Sequence, residues 1–329
     1  MNGLENYTLE GILSAREIDV AHIDHKLSYG ENKASIEKQF GHISKVDDMR
    51  RFEKCEALAE ENAIAPFKGS VTPIKVPKLP FDPIQRSKDV ESVVMQGDKR
   101  RYYRFRNTEY YEGCVTADAS GCNLLCGYCW NVQKNSNIGE CNDKFRDPEE
   151  VATKINALRK KHGSKRYRIS GCEAFLGDLS AKHLGQVIEV TGKGAMLETN
   201  GIMLGHSPEL LEHIPKKTII RLTLKGDSPE SFEKVTGAKA SAFKYQLKGL
   251  KALADDDRPI ILAIMKQFID IEKIGRLIEA NKIDLAGKDF NVDFESLLYY
   301  PQNTKSMRDR GIKPQYTAKE FDKRLEEVV

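Results

Sequence analysis

The sequence predicts an α/β protein: a partial (β/α)6 TIM-like barrel with a mainly helical amino-terminal extension. Beyond residue 110, short β-branched and aliphatic runs alternate with segments bounded by helix-capping residues, the pattern of βα units and a parallel sheet. Counting the run just before residue 120 gives six strands with about as many helices, too few units for a full eight-fold barrel. The first 65 residues instead show apolar spacing at helical period without turn punctuation.

Taken in order, the extension over 1–65 rests on Ile36, Phe40, Ile43 and Val46, which recur at intervals of three or four. A connector region follows over 66–109. Five prolines from Pro66 to Pro83 exclude helix there and argue for extended chain. From Lys99 to Ser120, aromatic and β-branched residues read as strands that lead into a cysteine cluster. The core barrel covers 110–302. Its helix at 147–163 has Asp147 as N-cap, Pro148 at the first helical position and Gly163 at the close. Strand "RYRIS" follows, then a helix over 180–190, strand "AMLETN", a helix over 207–213 and strand "TIIRLTL". Helices across 228–254, strand "PIILAIM", a helix over 270–282 and strand "FNVDFESLL" complete the series, and 303–329 forms a helical tail. In such a barrel the functional residues belong at the carboxyl ends of the strands.

Composition narrows the function classes. A chain of 329 residues, 40% hydrophobic and 31% charged, buries a sizeable core. Lysine plus arginine exceed aspartate plus glutamate by 52 − 49 = 3, too weak a field to argue for nucleic acid or membrane. The start, "MNGLENYTLEGILSAREIDVAH", carries acidic residues where a signal peptide needs basic ones, and no apolar run has the length of a membrane span. The expectation is a soluble, cytoplasmic protein with no membrane partner. Locally, Lys99, Arg100, Arg101, Tyr102, Tyr103, Arg104, Phe105 and Arg106 mix cations with aromatics as base-stacking surfaces do. The favoured reading is an amphipathic strand with solvated charges and with aromatics covering the barrel opening, so RNA stays a disfavoured partner.

Three of the seven cysteines fall in "GCNLLCGYCWN", residues 121–131. An odd count with such clustering makes disulfides awkward and favours a metal or cluster site. Cys122, Cys126 and Cys129 are spaced C-x3-C-x2-C, and three thiolates from one loop can ligate three corners of a [4Fe–4S] cluster while one iron stays open. The alternative, a zinc knuckle, wants four ligands, and no second C-x2-C or histidine pair accompanies this one. Cys114, Cys141 and Cys172 are too irregularly spaced to make a good case for an auxiliary cluster, and Cys55, in a helical stretch, reads as a free thiol.

On these residues the chain resembles the radical S-adenosylmethionine superfamily, whose C-x3-C-x2-C motif commonly has an aromatic residue before the last cysteine, here Tyr128. The resemblance implies an oxygen-sensitive [4Fe–4S] cluster on Cys122, Cys126 and Cys129 that binds S-adenosylmethionine at its open iron. It further implies one-electron cleavage to a 5′-deoxyadenosyl radical that abstracts hydrogen, with a donor such as ferredoxin or flavodoxin, in an iron-dependent oxidoreductase. "ISGCEAFLG", residues 169–177, is similar to the family's Gly-Gly-Glu-Pro segment at Gly171 and Glu173, with Cys172 and Ala174 departing from it. "LETNG", residues 197–201, resembles a segment of the pyruvate formate-lyase activating enzymes and implies cofactor contacts for Glu198 and Asn200. "IIRLTLKGDSPESFEKVTGA", residues 219–238, is similar to the same enzymes and implies that Lys225 meets the cofactor carboxylate. Thr223 stands where those enzymes carry a cation-site aspartate, and "FESLLYYPQ", residues 294–302, lacks their final histidine. No acid or base catalyst is singled out. The preferred substrate is therefore an unidentified small molecule, peptide or RNA. A glycyl-radical-enzyme activase is one alternative, and a non-catalytic iron–sulfur electron carrier without affinity for S-adenosylmethionine is another.

Overall fold

The computed structural model describes residues 76–328 apart from 109, 137 and 139–142, so the expected extension over 1–65, with Cys55, and Cys141 lie outside the described residues. The first element is helix α1, Pro83–Val94, capped by the Asp82 carboxylate, which accepts from the backbone N–H of Ile84 at 2.9 Å. It was not among the expected elements, although its Asp-Pro start is the signal that marks α4, Pro148–His162. Strands β1, Met95–Gln96, and β2, Lys99–Thr108, then form an antiparallel pair. After the helical turn α2, Tyr110–Gly113, strand β3, Cys114–Ala119, runs antiparallel to β2 and starts the barrel.

From β3 onward the chain alternates as expected. Helix α3, Val132–Ser136, and strand β4, Lys144–Arg146, which pairs with β2, precede α4. The further strands are β5, Arg166–Ser170; β6, Ala195–Thr199; β7, Ile219–Leu224; β8, Ile260–Met265; and β9, Phe290–Glu295. Between them lie α5, Asp178–Thr191; α6, Ile202–His206; α7, Pro229–Thr236; α8, Phe243–Asp255; and α9, Ile271–Ala280. Helices α10, Pro301–Asp309, and α11, Ala318–Val328, form the tail. The expected helix over 207–213 is a 3-10 turn, Pro208–His213, and α6 ahead of it is additional.

Strands β3, β5, β6, β7, β8 and β9 are parallel neighbours in that order, and β9 ends the path, so the barrel is partial. Register sorts their side chains by parity. Ala117, Ile169, Leu197, Ile220 and Ile260 align across the sheet on the face that packs against Val151, Leu184 and Leu250 of the helices. Each such buried aliphatic side chain contributes about 1.5–3 kcal/mol by leaving water. The opposite parity, which includes Thr116, Arg168, Glu198, Arg221 and Asp293, faces the barrel interior, and that interior is charged.

Helices α6 and α8 approach so closely that only glycine fits between them. A Cβ on Gly205 would stand 1.9 Å from the Tyr245 carbonyl oxygen, and one on Gly249 2.4 Å from that of Gly201. In an open helix Gly→Ala would stabilise by up to about 1 kcal/mol. Here we expect Gly205→Ala to destabilise the protein by about 2 kcal/mol, because the backbone contact must separate. Urea unfolding checks the sign, and a variant at least as stable as the parent would refute the contact.

Candidate functional site

The loop leaving β3 carries all three clustered cysteines, and its backbone is held by other segments. Leu125 N–H donates to Thr236 O at 3.1 Å and Gly127 N–H to Val235 O at 2.9 Å, both at the end of α7. Arg310, after α10, donates to Leu125 O. Glu173 N–H donates to Gly121 O at 3.0 Å, which ties the loop to the end of β5. Two glycines make the fit possible: Gly121 has φ +92°, and a Cβ on Gly127 would lie 2.3 Å from Ile312 Cδ1.

Burial pushes all three thiols up, Cys122 well above the ordinary cysteine value and Cys126 to about 11. Polar hydrogens nevertheless point at the sulfurs. Leu124 N–H donates to Cys122 Sγ and Asn131 N–H to Cys129 Sγ, each at 3.4 Å, and Asn135 Nδ2 reaches Cys129 Sγ at 3.7 Å. Among the described residues no group of three or more histidine, cysteine, aspartate or glutamate side chains converges on a point that would hold a single metal ion. A four-iron cluster asks for something else: separated thiolates, each on its own iron, with N–H groups aimed at sulfur. Three soft donors, Cys126 buried and Cys122 and Cys129 partly so, with N–H contacts on the latter two, fit that group. Unpartnered buried polar atoms also border the loop, namely Asn123 Nδ2, Tyr128 OH and Asn135 Oδ1.

The strand ends beside the loop hold the other expected residues, in unequal states. Gly171, φ +82°, has no room for a Cβ, which would meet Tyr103 OH at 2.5 Å, and its carbonyl accepts from Asn131 Nδ2 at 2.6 Å. Glu173 is 1% exposed, and its carboxylate is taken up internally: Oε1 accepts from Phe175 N–H at 3.0 Å and from the Thr199 hydroxyl, and Oε2 from Asn200 N–H at 2.8 Å. Burial raises its carboxyl above the usual range despite these bonds. Glu198 is paired with Arg168, Nη1 to Oε1 at 2.6 Å, and accepts from the Ser170 hydroxyl. Burial would push its carboxyl up, but Arg168, Arg221 and the Ser170 and Arg168 hydrogen bonds outweigh that and hold it at about 2.

Asn200 reaches toward the loop itself, Nδ2 donating to Asn123 Oδ1 at 2.7 Å and lying 4.0 Å from Cys122 Sγ. Lys225 stands with its Nζ 5.6 Å from the centre of the Tyr128 ring, and that ring stacks on Phe268 at 4.8 Å. Burial would lower the lysine, but Tyr128, Cys126, Glu295 and Cys129 together hold it above its ordinary value. Sequence motifs do not announce Gln246 on α8, which is fully buried. Its Nε2 donates to Asn200 O at 2.6 Å and to Thr223 O at 3.2 Å, while its Oε1 accepts from Lys225 N–H at 3.0 Å. One amide thus sets the spacing of the β6 and β7 ends, and only the tertiary contact reveals it.

The basic aromatic strand departs in part from the expectation of solvated charges: Lys99 is exposed, and Arg104 and Arg106 partly so. Arg100 and Arg101 are buried at 0% and 2%, with Arg100 donating to the carbonyls of Ala174 at 2.7 Å and Glu173 at 2.6 Å. Arg104 and Arg106 both bond Asp118, whose side chain is fully buried. The reason is the neighbouring chain: strand-end carbonyls outbid water for the Arg100 guanidinium, whereas Arg104 and Arg106 pair with Asp118 and stay partly exposed. Cys172 bonds Arg100, burial raising its thiol to about 12, and Cys114 lies at the opposite end of β3 from the clustered cysteines.

Comparison with known proteins adds to this geometry. The profile of the radical SAM superfamily matches residues 118–280. A probable GTP 3′,8-cyclase of Methanocaldococcus jannaschii is 28% identical over 159 residues, 48% of this chain and 51% of that protein, so the chain spans about half the length of the curated relative it matches. Among solved structures, Streptococcus suis SuiB bound to S-adenosylmethionine aligns with TM-score 0.45 at 19% identity, covering 63% of this chain and 44% of that one. Spore photoproduct lyase complexed with dinucleoside spore photoproduct aligns with TM-score 0.43 at 14% identity, covering 61% of each chain.

The Arg168–Glu198 pair yields a stability test. The Glu198 carboxyl lies below its unfolded value, so its contribution is present above pH 4.5 and is lost as pH falls toward about 2. We expect Glu198→Gln, which removes the carboxylate that Arg168 Nη1 bonds, to cost about 3 kcal/mol at pH 7. The gap to the parent should narrow below pH 4.5. Unfolding titrations across pH check this, and a pH-independent gap would refute the pairing.

Proposed function

We propose that this chain, which belongs to the radical S-adenosylmethionine superfamily, binds a [4Fe–4S] cluster through Cys122, Cys126 and Cys129 and cleaves S-adenosylmethionine reductively. The carrying observation is the loop: three buried or partly buried cysteines at the carboxyl end of the first parallel strand, with backbone N–H groups on two of their sulfurs and Lys225 alongside. A [4Fe–4S] cluster held by these three thiolates would supply the single electron that reductive cleavage of S-adenosylmethionine needs, and the cleaved cofactor would supply hydrogen abstraction from the substrate.

The protein's own groups divide the remaining work. Lys225 supplies a cation for the methionyl carboxylate. The Tyr128 ring, the backbone of Gly171, and the side chains of Glu198 and Asn200 complete the cofactor seat. Glu173 acts as a positioning residue, because both its oxygens bond the β5 and β6 turns. Paired charges in the barrel interior, Arg221 with Asp293 at 2.6 Å and with Glu295 at 2.8 Å, favour a polar substrate: a small molecule, a peptide or an RNA base. An activase role is disfavoured, since the neutral Thr223 hydroxyl accepts from Arg221 Nη1 at 3.4 Å in the place of a cation-binding carboxylate. A one-electron donor such as ferredoxin or flavodoxin re-reduces the cluster.

Anaerobic reconstitution of the full chain should load about four irons, and Cys126→Ala should abolish loading. Trp130, the one tryptophan of the chain and next to Cys129, should lose fluorescence as iron enters. The dithionite-reduced protein should release 5′-deoxyadenosine and methionine in equal amounts. Lys225→Ala should weaken cofactor binding roughly tenfold, a loss of about 1.4 kcal/mol, at unchanged iron content. Stoichiometric zinc without a brown chromophore would overturn the reading. Iron uptake with neither binding nor cleavage of the cofactor would leave an electron carrier.

A further inference from the structure

The family match starts at residue 118, and α1 lies ahead of it, yet α1 packs on the cysteine loop. Val90 and Val94 fill the space that a Cβ on Gly121 would need, at 2.7 and 2.9 Å. Ser87 donates to Leu176 O at 2.8 Å, and Glu91 accepts from Ser180 N–H at 2.8 Å, so the helix is keyed in place along one face. On that face stands Arg86, 4% exposed. Its Nη2 donates to Asn135 O at 2.8 Å, its guanidinium lies 5.6 Å from the centre of the Phe81 ring, and its Nε has no partner. Asp89, one turn on, accepts from Gln85 Nε2 at 2.9 Å. A guanidinium buried against one carbonyl and one ring is under-compensated, because a charge taken from water needs an opposite charge or several hydrogen bonds.

The anion-forming groups within electrostatic range of the guanidinium are Asp89, whose carboxylate also accepts from Gln85, and Cys122 of the cysteine cluster. Asn135, whose carbonyl Arg86 holds, points its Nδ2 at Cys129 Sγ, and Cys122 lies within electrostatic range of the guanidinium. Lys225 serves Cys126, Cys129 and Tyr128, and Arg310 the Leu125 carbonyl, while Arg86 is a cation on the Cys122 flank.

We propose that Arg86 is a positioning residue for the iron–sulfur cluster. From a helix outside the matched region, its fixed charge offsets that of the thiolate-bound cluster and, through Asn135, orients the Cys129 sulfur. A buried cation stabilises the more negative, reduced form, so Arg86 raises the reduction potential and eases reduction by a donor. This rests on the cluster reading above and adds a residue to it.

The test is a mediated redox titration of the reconstituted full chain, followed by the electron paramagnetic resonance of the reduced cluster. Arg86→Gln should keep the parent's iron content and shift the midpoint to a more negative potential, while Arg86→Lys, which keeps the charge, should stay near the parent value. An unchanged midpoint in Arg86→Gln at full iron content overturns the proposal. So does an equal shift in both variants, which would assign the effect to shape. If Arg86→Gln loses its iron, the lysine variant decides: iron and parent potential retained support the charge role, and iron lost there too overturns it. Failure of the parent itself to take up iron removes the cluster reading, and this inference with it, before any variant is compared.

Discussion

The site depends on one constraint: the loop between β3 and α3 has almost no backbone hydrogen-bonding of its own, and its polar groups must be met by segments distant in sequence. An unmet buried N–H or carbonyl costs about 1–3 kcal/mol, so each external partner is also a positional restraint. Thr236 and Val235 hold the loop from α7, Arg310 from beyond α10, and the Gly121 carbonyl binds it to Glu173. The cysteines are therefore placed by the whole barrel as much as by their spacing.

The same economy governs the charges. A parallel barrel turns alternate side chains inward, and here the inward set carries Arg168, Glu198, Arg221, Asp293 and Glu295. Buried ions persist only when paired and hydrogen-bonded, which accounts for the chain from the Thr116 hydroxyl through Arg168 to Glu198. Tyr111 OH reaches Asp293 at 3.3 Å and links the entrance of β3 with the last strand. The result is an interior whose charges are fixed by one another and by the strand ends.

Several residues that motif logic marks as cofactor contacts have structural partners as well. Glu173 staples two strand ends, and the Gly171 carbonyl is engaged by Asn131. Gln246 and Arg86, which no motif marks, hold the positions of Asn200, Lys225 and the cysteine loop. The arginines of β2 look like a nucleic-acid surface when read as a string, and in three dimensions they serve Asp118 and backbone carbonyls.

Local chemistry determined what could be read from the sequence alone. Period and capping residues announced β3 and β5 through β9 with most of their helices, because strand and helix impose spacings that sequence displays directly, and the cysteine triplet announced its chemistry because its three donors lie within eight residues. Only the tertiary structure decided which partners the carboxylates and cations already have. Glu198 and Glu173 look alike as strand-end glutamates, yet one pairs with Arg168 and the other accepts N–H groups from two turns, since long-range register brings Ser170 and Arg168 to one and Thr199 and Asn200 to the other. Arg86 was illegible for the same reason: a lone arginine in a helix reads as solvated until its helix packs on Gly121 through Val90 and Val94 and its guanidinium meets the Asn135 carbonyl, contacts with residues far along the chain.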